Sequence, residues 1–136
     1  MTDPTKYVRK MYYDSLIDVV PVYDGMPPAD HVTIYAVIIS TSWTLEPATK
    51  GCTIFRFVVN LELYQEFKEY GSSVGVDDKA DQIIAIMCPQ SVNSLPSIGG
   101  GYHQNEVKLP FIENDSGRND ALAIWRKKIQ LVHIIS

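Results

Sequence analysis

Three histidines, two cysteines and a scatter of carboxylates are the groups in this 136-residue chain with the potential for catalysis or metal binding. His31, His103 and His133 lie far apart, and none belongs to an HxH or HxxxH spacing that would bring two imidazoles to one metal ion. Cys52 and Cys88 show no metal-ligand or paired spacing and read as two reduced, mostly buried thiols. Cys88 with His103 could form a thiol and imidazole couple, but Cys88 ends an apolar helical stretch, where an inert thiol is the simpler expectation. No serine sits in a GxSxG elbow. Glu62 and Glu66 project with Arg56 from one face of a strand-like run, and mixed charges there need no catalysis to explain them. Asp77, Asp78 and Asp81 fall in the first turns of a helical pattern, where the macrodipole favours acids and a solvated face explains them better than a metal does. The run Gly99-Gly100-Gly101 lacks the Lys-Ser/Thr pair of a phosphate-binding loop. No cofactor or metal is expected.

The elements that would position these groups are organised around Cys52 to Phe67. Phe55, Phe57, Val59, Leu61 and Leu63 alternate there with Arg56, Asn60 and Glu62, the period-2 pattern of a long strand with one buried face. Asp3 and Pro4 open an amphipathic helix carrying Val8, Met11, Tyr12, Leu16 and Val19, which ends near Val20 at Pro21. Val22-Tyr23 reads as a short extended piece before an Asp24-Gly25 turn and Pro27-Pro28. Ile34 to Ile39 is apolar at nearly every position, as in a strand covered on both faces. Ser42 to Gly51 reads as the loop of an extended hairpin, with Trp43 either an interface anchor or folded back on its own domain. Val76, Ala80, Ile83, Ile84 and Met87 mark a second helix. Gln90 to Gly101 is polar loop. A short strand is expected about Glu106 to Ile112, a turn at Asp115 to Arg118, and a final strand from Ala121 to Ile135.

The expected fold class is α+β: one small domain over residues 1–136, a mostly antiparallel, mixed sheet packed against two helices, with a long hairpin and extended loops. A hydrophobic fraction of 46% with 21% charged residues suits one globular core. A net charge of −4 speaks against a general affinity for nucleic acid or anionic membranes, because both need an excess of Lys and Arg. The N-terminal residues MTDPTKYVRK hold no apolar signal-peptide core, and no run approaches the ~18 apolar residues that span a bilayer. The protein is expected to fold and act in the cytoplasm where it is made, or to leave it only as part of something larger, with no membrane partner.

The order of these elements resembles the tail-terminator and tail-completion proteins of tailed bacteriophages, the neck proteins that cap the tail tube and meet the head connector. The segments that carry the resemblance are DPTKYVRKMYYDSLIDVV, PVYDGMPP running into YAVIIST, TIFRFVVNLELYQEF, VDDKADQIIAIM and WRKKIQLVHII. It implies a non-enzymatic structural protein of the virion tail or neck, assembled in the host cytoplasm as a ring, typically hexameric. The partners it implies are other copies of the chain, a tail tube protein and a head-neck connector protein, with DNA only as passing cargo. The residues expected at subunit contacts are Trp43, Glu46, Lys50, Ile38, Arg56, Glu62, Tyr102, Arg118, Arg126 and Lys127. An adaptor in a contractile, phage-derived injection system fits the same pattern. The alternative from a different class is a small cytosolic α/β enzyme or ligand-binding domain with its site in the loops 42–51 and 90–101.

Overall fold

The computed structural model describes residues 3–27, 33–46, 53–67, 74–119 and 122–136. The chain runs α1 (Thr5–Leu16), β1 (Val22–Asp24), β2 (Ile34–Glu46), β3 (Ile54–Phe67), α2 (Val74–Met87), a 3-10 turn (Val92–Ser94), β4 (Gln104–Asn119) and β5 (Leu122–Ile135). The five strands form one sheet in the order β1-β2-β3-β5-β4. Only the β1–β2 pair is parallel; the other three are antiparallel. The expected α+β class, with a mixed sheet and two helices, is what the chain adopts.

β3 lies in the middle of this sheet because its alternation gives it a face to bury. Phe55, Phe57, Val59, Leu61 and Leu63 are all at most 2% exposed, and they meet Ile129, Leu131 and Ile135 of β5 and Ala36 and Ile38 of β2 in a single core. Both helices lie against that face. α1 contributes Val8, Met11, Tyr12 and Leu16, and α2 contributes Val76, Ala80, Ile83 and Met87, each set spaced by three and four residues so that one stripe turns inward. The helix start is tied by Asp3, whose carboxylate accepts hydrogen bonds from the Thr5 backbone N–H and hydroxyl, with Pro4 at the N-cap. Gly25 follows β1 at φ +100°, a turn conformation that side chains with a Cβ seldom take.

Four expectations are corrected. The helix ends at Leu16, not near Val20, and Ile17 to Val19 form a turn. β2 continues to Glu46, so Ser42 to Glu46 are strand and not loop. A bulge between Ile38 and Ser40 switches which residues face the helices, and this change of parity hid the continuation from a strict period-2 reading. β4 extends from Gln104 to Asn119, so Asp115 to Arg118 are strand and the chain reverses after Asn119. Pro110 lies within a second register shift, between Lys108 and Phe111, which lets the strand pass a residue without a backbone N–H. Residues 47–52, with Lys50 and Cys52, and His31 lie outside the described residues.

Because Phe57 is fully buried at the centre of the sheet, Phe57→Ala is expected to destabilise the domain by about 3–5 kcal/mol. Urea unfolding followed by circular dichroism measures this; a loss below about 1 kcal/mol would mean that β3 is not the centre of the core.

Candidate interaction surface

The strand parity that buries one face of the sheet leaves the other without any covering element among the described residues. Val58, Asn60, Glu62, Tyr64 and Glu66 of β3 face this side, in register with Val132, Gln130, Lys128, Arg126 and Ile124 of β5. From β2 come Tyr35 and Val37, and beyond the bulge Ser40, Ser42 and Thr44. The open side is therefore built of rungs running across the strands. One rung is amide and hydroxyl, with Gln130 Nε2 donating to Asn60 Oδ1 at 2.9 Å and Asn60 Nδ2 donating to Ser40 Oγ at 2.8 Å. The next holds opposed charges, with Lys128 between Glu62 and Glu113.

At the β1 side three tyrosines gather. Tyr35 stacks on Tyr64 with ring centroids 5.3 Å apart, and Tyr23 meets Tyr35 edge-on at 6.0 Å. The Tyr64 hydroxyl donates to Glu62, and that of Tyr35 donates to Glu66 at 3.1 Å. Burial first, and then the adjoining carboxylate, pushes each phenol up to about 12, so both remain donors at neutral pH. Tyr35 and Tyr64, with Met26, Pro27, Val37 and Ile39, line a shallow groove of about 440 Å³. Met26 is 93% exposed and Ile39 52%, so the groove offers apolar surface to whatever lies over it.

The expected contact residues are distributed over different parts of the molecule. Arg56, Glu62 and Arg126 share the open face. Lys127, next in sequence to Arg126, points to the helix side, where its Nζ is 2.8 Å from an Asp77 carboxylate oxygen; the basic run Arg126-Lys127-Lys128 is split by strand alternation. Ile38 is 4% exposed within the core, so its substitution acts first on the fold. Trp43 is half-buried in β2, edge-on to Phe55, with its indole N–H donating to Asp3. Glu46 is 3.9 Å from Arg56 across the β2–β3 pair. Tyr102 packs on Phe55 and Tyr7 at the helix side. Arg118 lies in β4 opposite Ala123.

The bonding partners of His133 have no local signal in the sequence, because it is a single polar residue in an apolar strand. His133 is fully buried between α1 and β4. Its Nδ1 lies 2.7 Å from Gln104 Oε1 and its Nε2 2.5 Å from the Tyr12 hydroxyl, while Gln104 Nε2 is 2.6 Å from the Pro96 carbonyl. A carbonyl only accepts, so the Gln104 amide N–H must donate to Pro96 and its oxygen must accept from Nδ1–H. Nε2 is thereby left to accept from Tyr12. This one chain of hydrogen bonds ties α1, β5, β4 and the segment before β4 together. Cys88 donates to the Val107 carbonyl, whereas His103 is exposed and its backbone pairs with Ser136. Among the described residues no group of three or more His, Cys, Asp or Glu side chains is placed to hold a metal ion, and no helix is long and apolar enough to cross a membrane. The segment 92–104 lines a cleft of about 350 Å³ in which Gln104 is already committed to Pro96 and His133.

Burial lowers the His133 pKa from 6.5 to about 4. Between these values the unfolded chain holds a proton that the folded chain does not, so stability is complete above about pH 6.5 and falls with acidification, by about 3 kcal/mol in all. Chemical unfolding at pH 6.5 and pH 5 is expected to show the first part of this loss in the native protein and not in His133→Gln; equal slopes would refute it.

No protein-family model and no curated protein sequence matches the chain. Among solved structures, the chain is similar to one from "Virion of native gene transfer agent (GTA) particle", with a TM-score of 0.57 and 9% sequence identity, over 98% of this chain and 92% of that one.

Proposed function

We propose that this chain is a non-enzymatic structural component of a phage-like virion, acting as a ring subunit that caps the tail tube and joins it to the head-neck connector. The observation that carries the reading is the likeness, over almost the full length of both chains, to a chain of a gene transfer agent virion. At 9% identity that likeness concerns fold, and the molecule's own surfaces supply the functional argument. A five-stranded sheet with both helices of the described residues on one side, a cross-linked polar and aromatic open face and exposed Met26, Ile39 and Leu45 is suited to lateral contact with protein. Paired charges on the open face suit a surface that neighbouring subunits cover, and a net charge of −4 suits a conduit that does not hold DNA tightly. The copies would form a closed ring, hexameric in this reading, with tail tube protein on one side and connector protein on the other.

The rival reading, an enzyme or ligand-binding domain, would place its site in 42–51 and 90–101. Its first loop is half strand, and in the second Ile98 is buried and the Pro96 carbonyl accepts from Gln104.

Size-exclusion chromatography with light scattering is expected to show a single closed oligomer of several times 15.3 kDa at micromolar concentration. A protein that stays monomeric at any concentration, yet gains thermal stability with a metabolite or nucleotide, would overturn the proposal in favour of the rival.

A further inference from the structure

Among the described residues the sheet ends in two unpaired backbone edges, and they match each other. β1 pairs with β2 only at Ala36, Val37 and Ile38, so from Ser40 to Glu46 the outer side of β2 has no strand partner among the described residues. This stretch holds no proline, and its only charge is Glu46 at the end. At the other margin β4 is the last strand. Its first part is protected by two register shifts and Pro110, devices that discourage edge pairing. From Phe111 to Asn119 it is regular, pairing residue by residue with β5 on its inner side. Exposed apolar side chains mark both free stretches: Leu45 is 52% exposed, Phe111 44% and Ile112 40%.

Strand sense and facing agree as well. β2 and β5 run one way, β3 and β4 the other. A second copy placed alongside in the same orientation therefore offers its β4 antiparallel to β2, the better pairing mode. Leu45 faces the helix side through its partner Phe55, and Ile112 does so through Ile129. Directly opposed residues in a ladder share a face, and these two satisfy that requirement.

We infer, resting on the ring reading above, that the ring closes by head-to-tail sheet extension, with Ser40–Glu46 of one copy pairing with Phe111–Gly117 of the next and Leu45 opposite Ile112. In this register Thr44 meets Glu113, Trp43 meets Asn114 and Glu46 meets Phe111, so no like charges are opposed. The two free edges lie at different heights: within one subunit Leu45 is level with Gln104, which pairs with Ile135, whereas Ile112 pairs with Ile129. Six residues of β5 separate those levels, a stagger of roughly 20 Å at about 3.4 Å per residue. Four strands per copy at about 4.8 Å span roughly 19 Å, so the stagger cancels around an axis when strands tilt by about 45°. That is close to the tilt at which sheets close, and the contact is heterologous, as a ring requires.

The test is an engineered disulfide between copies. Leu45→Cys with Ile112→Cys, in a background of Cys52→Ser and Cys88→Ser, is expected to give a ladder of multimers on a non-reducing gel after mild oxidation, ending at the ring size and lost on reduction, because opposed ladder residues have Cβ atoms about 4.5–5.5 Å apart. Thr44→Cys with Ile112→Cys puts the thiols on opposite faces and is expected to give less than a tenth of that yield. Rings by light scattering without cross-linking would overturn this contact while leaving the ring reading intact. Cross-linking of Leu45→Cys alone would show two-fold pairing of β2 edges and overturn the head-to-tail arrangement. Monomers throughout would overturn both.

Discussion

Two helices can cover one face of a five-stranded sheet, and that geometric limit shapes everything else in this molecule. The covered face takes all the large fully buried side chains of β3, from Phe57 to Leu63, against Tyr12, Leu16, Ile83 and Met87. Sealing this side stabilises the fold through apolar burial, at about 25 cal/mol per Å² removed from water. The opposite face obeys a different rule: its side chains must satisfy one another laterally, and they do so through Gln130–Asn60–Ser40, the tyrosine group and alternating charges. Such a face satisfies its polar groups without a covering element among the described residues.

The covered side contains a polar exception that fits the same logic. A fully buried imidazole is tolerable only when both nitrogens have partners, and His133 has Tyr12 on one side and Gln104 on the other. Because the bond directions are fixed from the Pro96 carbonyl inward, the network accepts one neutral tautomer and one placement of the segment before β4. The glycine turn beyond that segment is shaped by packing too, since a Cβ on Gly100 would come within 2.6 Å of the Tyr7 ring and its φ is +63°. Gly100 therefore fits a tight passage beside α1, while Gly99 and Gly101 on either side have open space around them.

Much of the fold was legible where one physical signal dominated. The alternation of β3, the two helical stripes and the short β1 before Asp24-Gly25 were all readable, because burial on one face writes a period into the sequence. What was not legible had competing signals. Trp43, Thr44 and Leu45 read as loop because the bulge at Ile38/Ser40 broke the period and Pro47 lay close ahead. Asp115 to Arg118 read as a turn from composition, while pairing with β5 kept them extended. The expected contact residues were chosen by type, and type does not fix the facing of a residue: Ile38 lies in the core, whereas Arg126 and Lys127 point to opposite sides of one strand. His133 and Gln104 are 29 positions apart, and no local pattern announces a bond between them.

The proposed function has copies of this domain meet in a closed ring. Electron microscopy of the purified protein, with particles averaged in projection, tests it most directly. A closed ring would give annular particles of uniform size with a central opening and a fixed number of subunits. Images showing only single 15.3 kDa domains, or open filaments without closure, would contradict it.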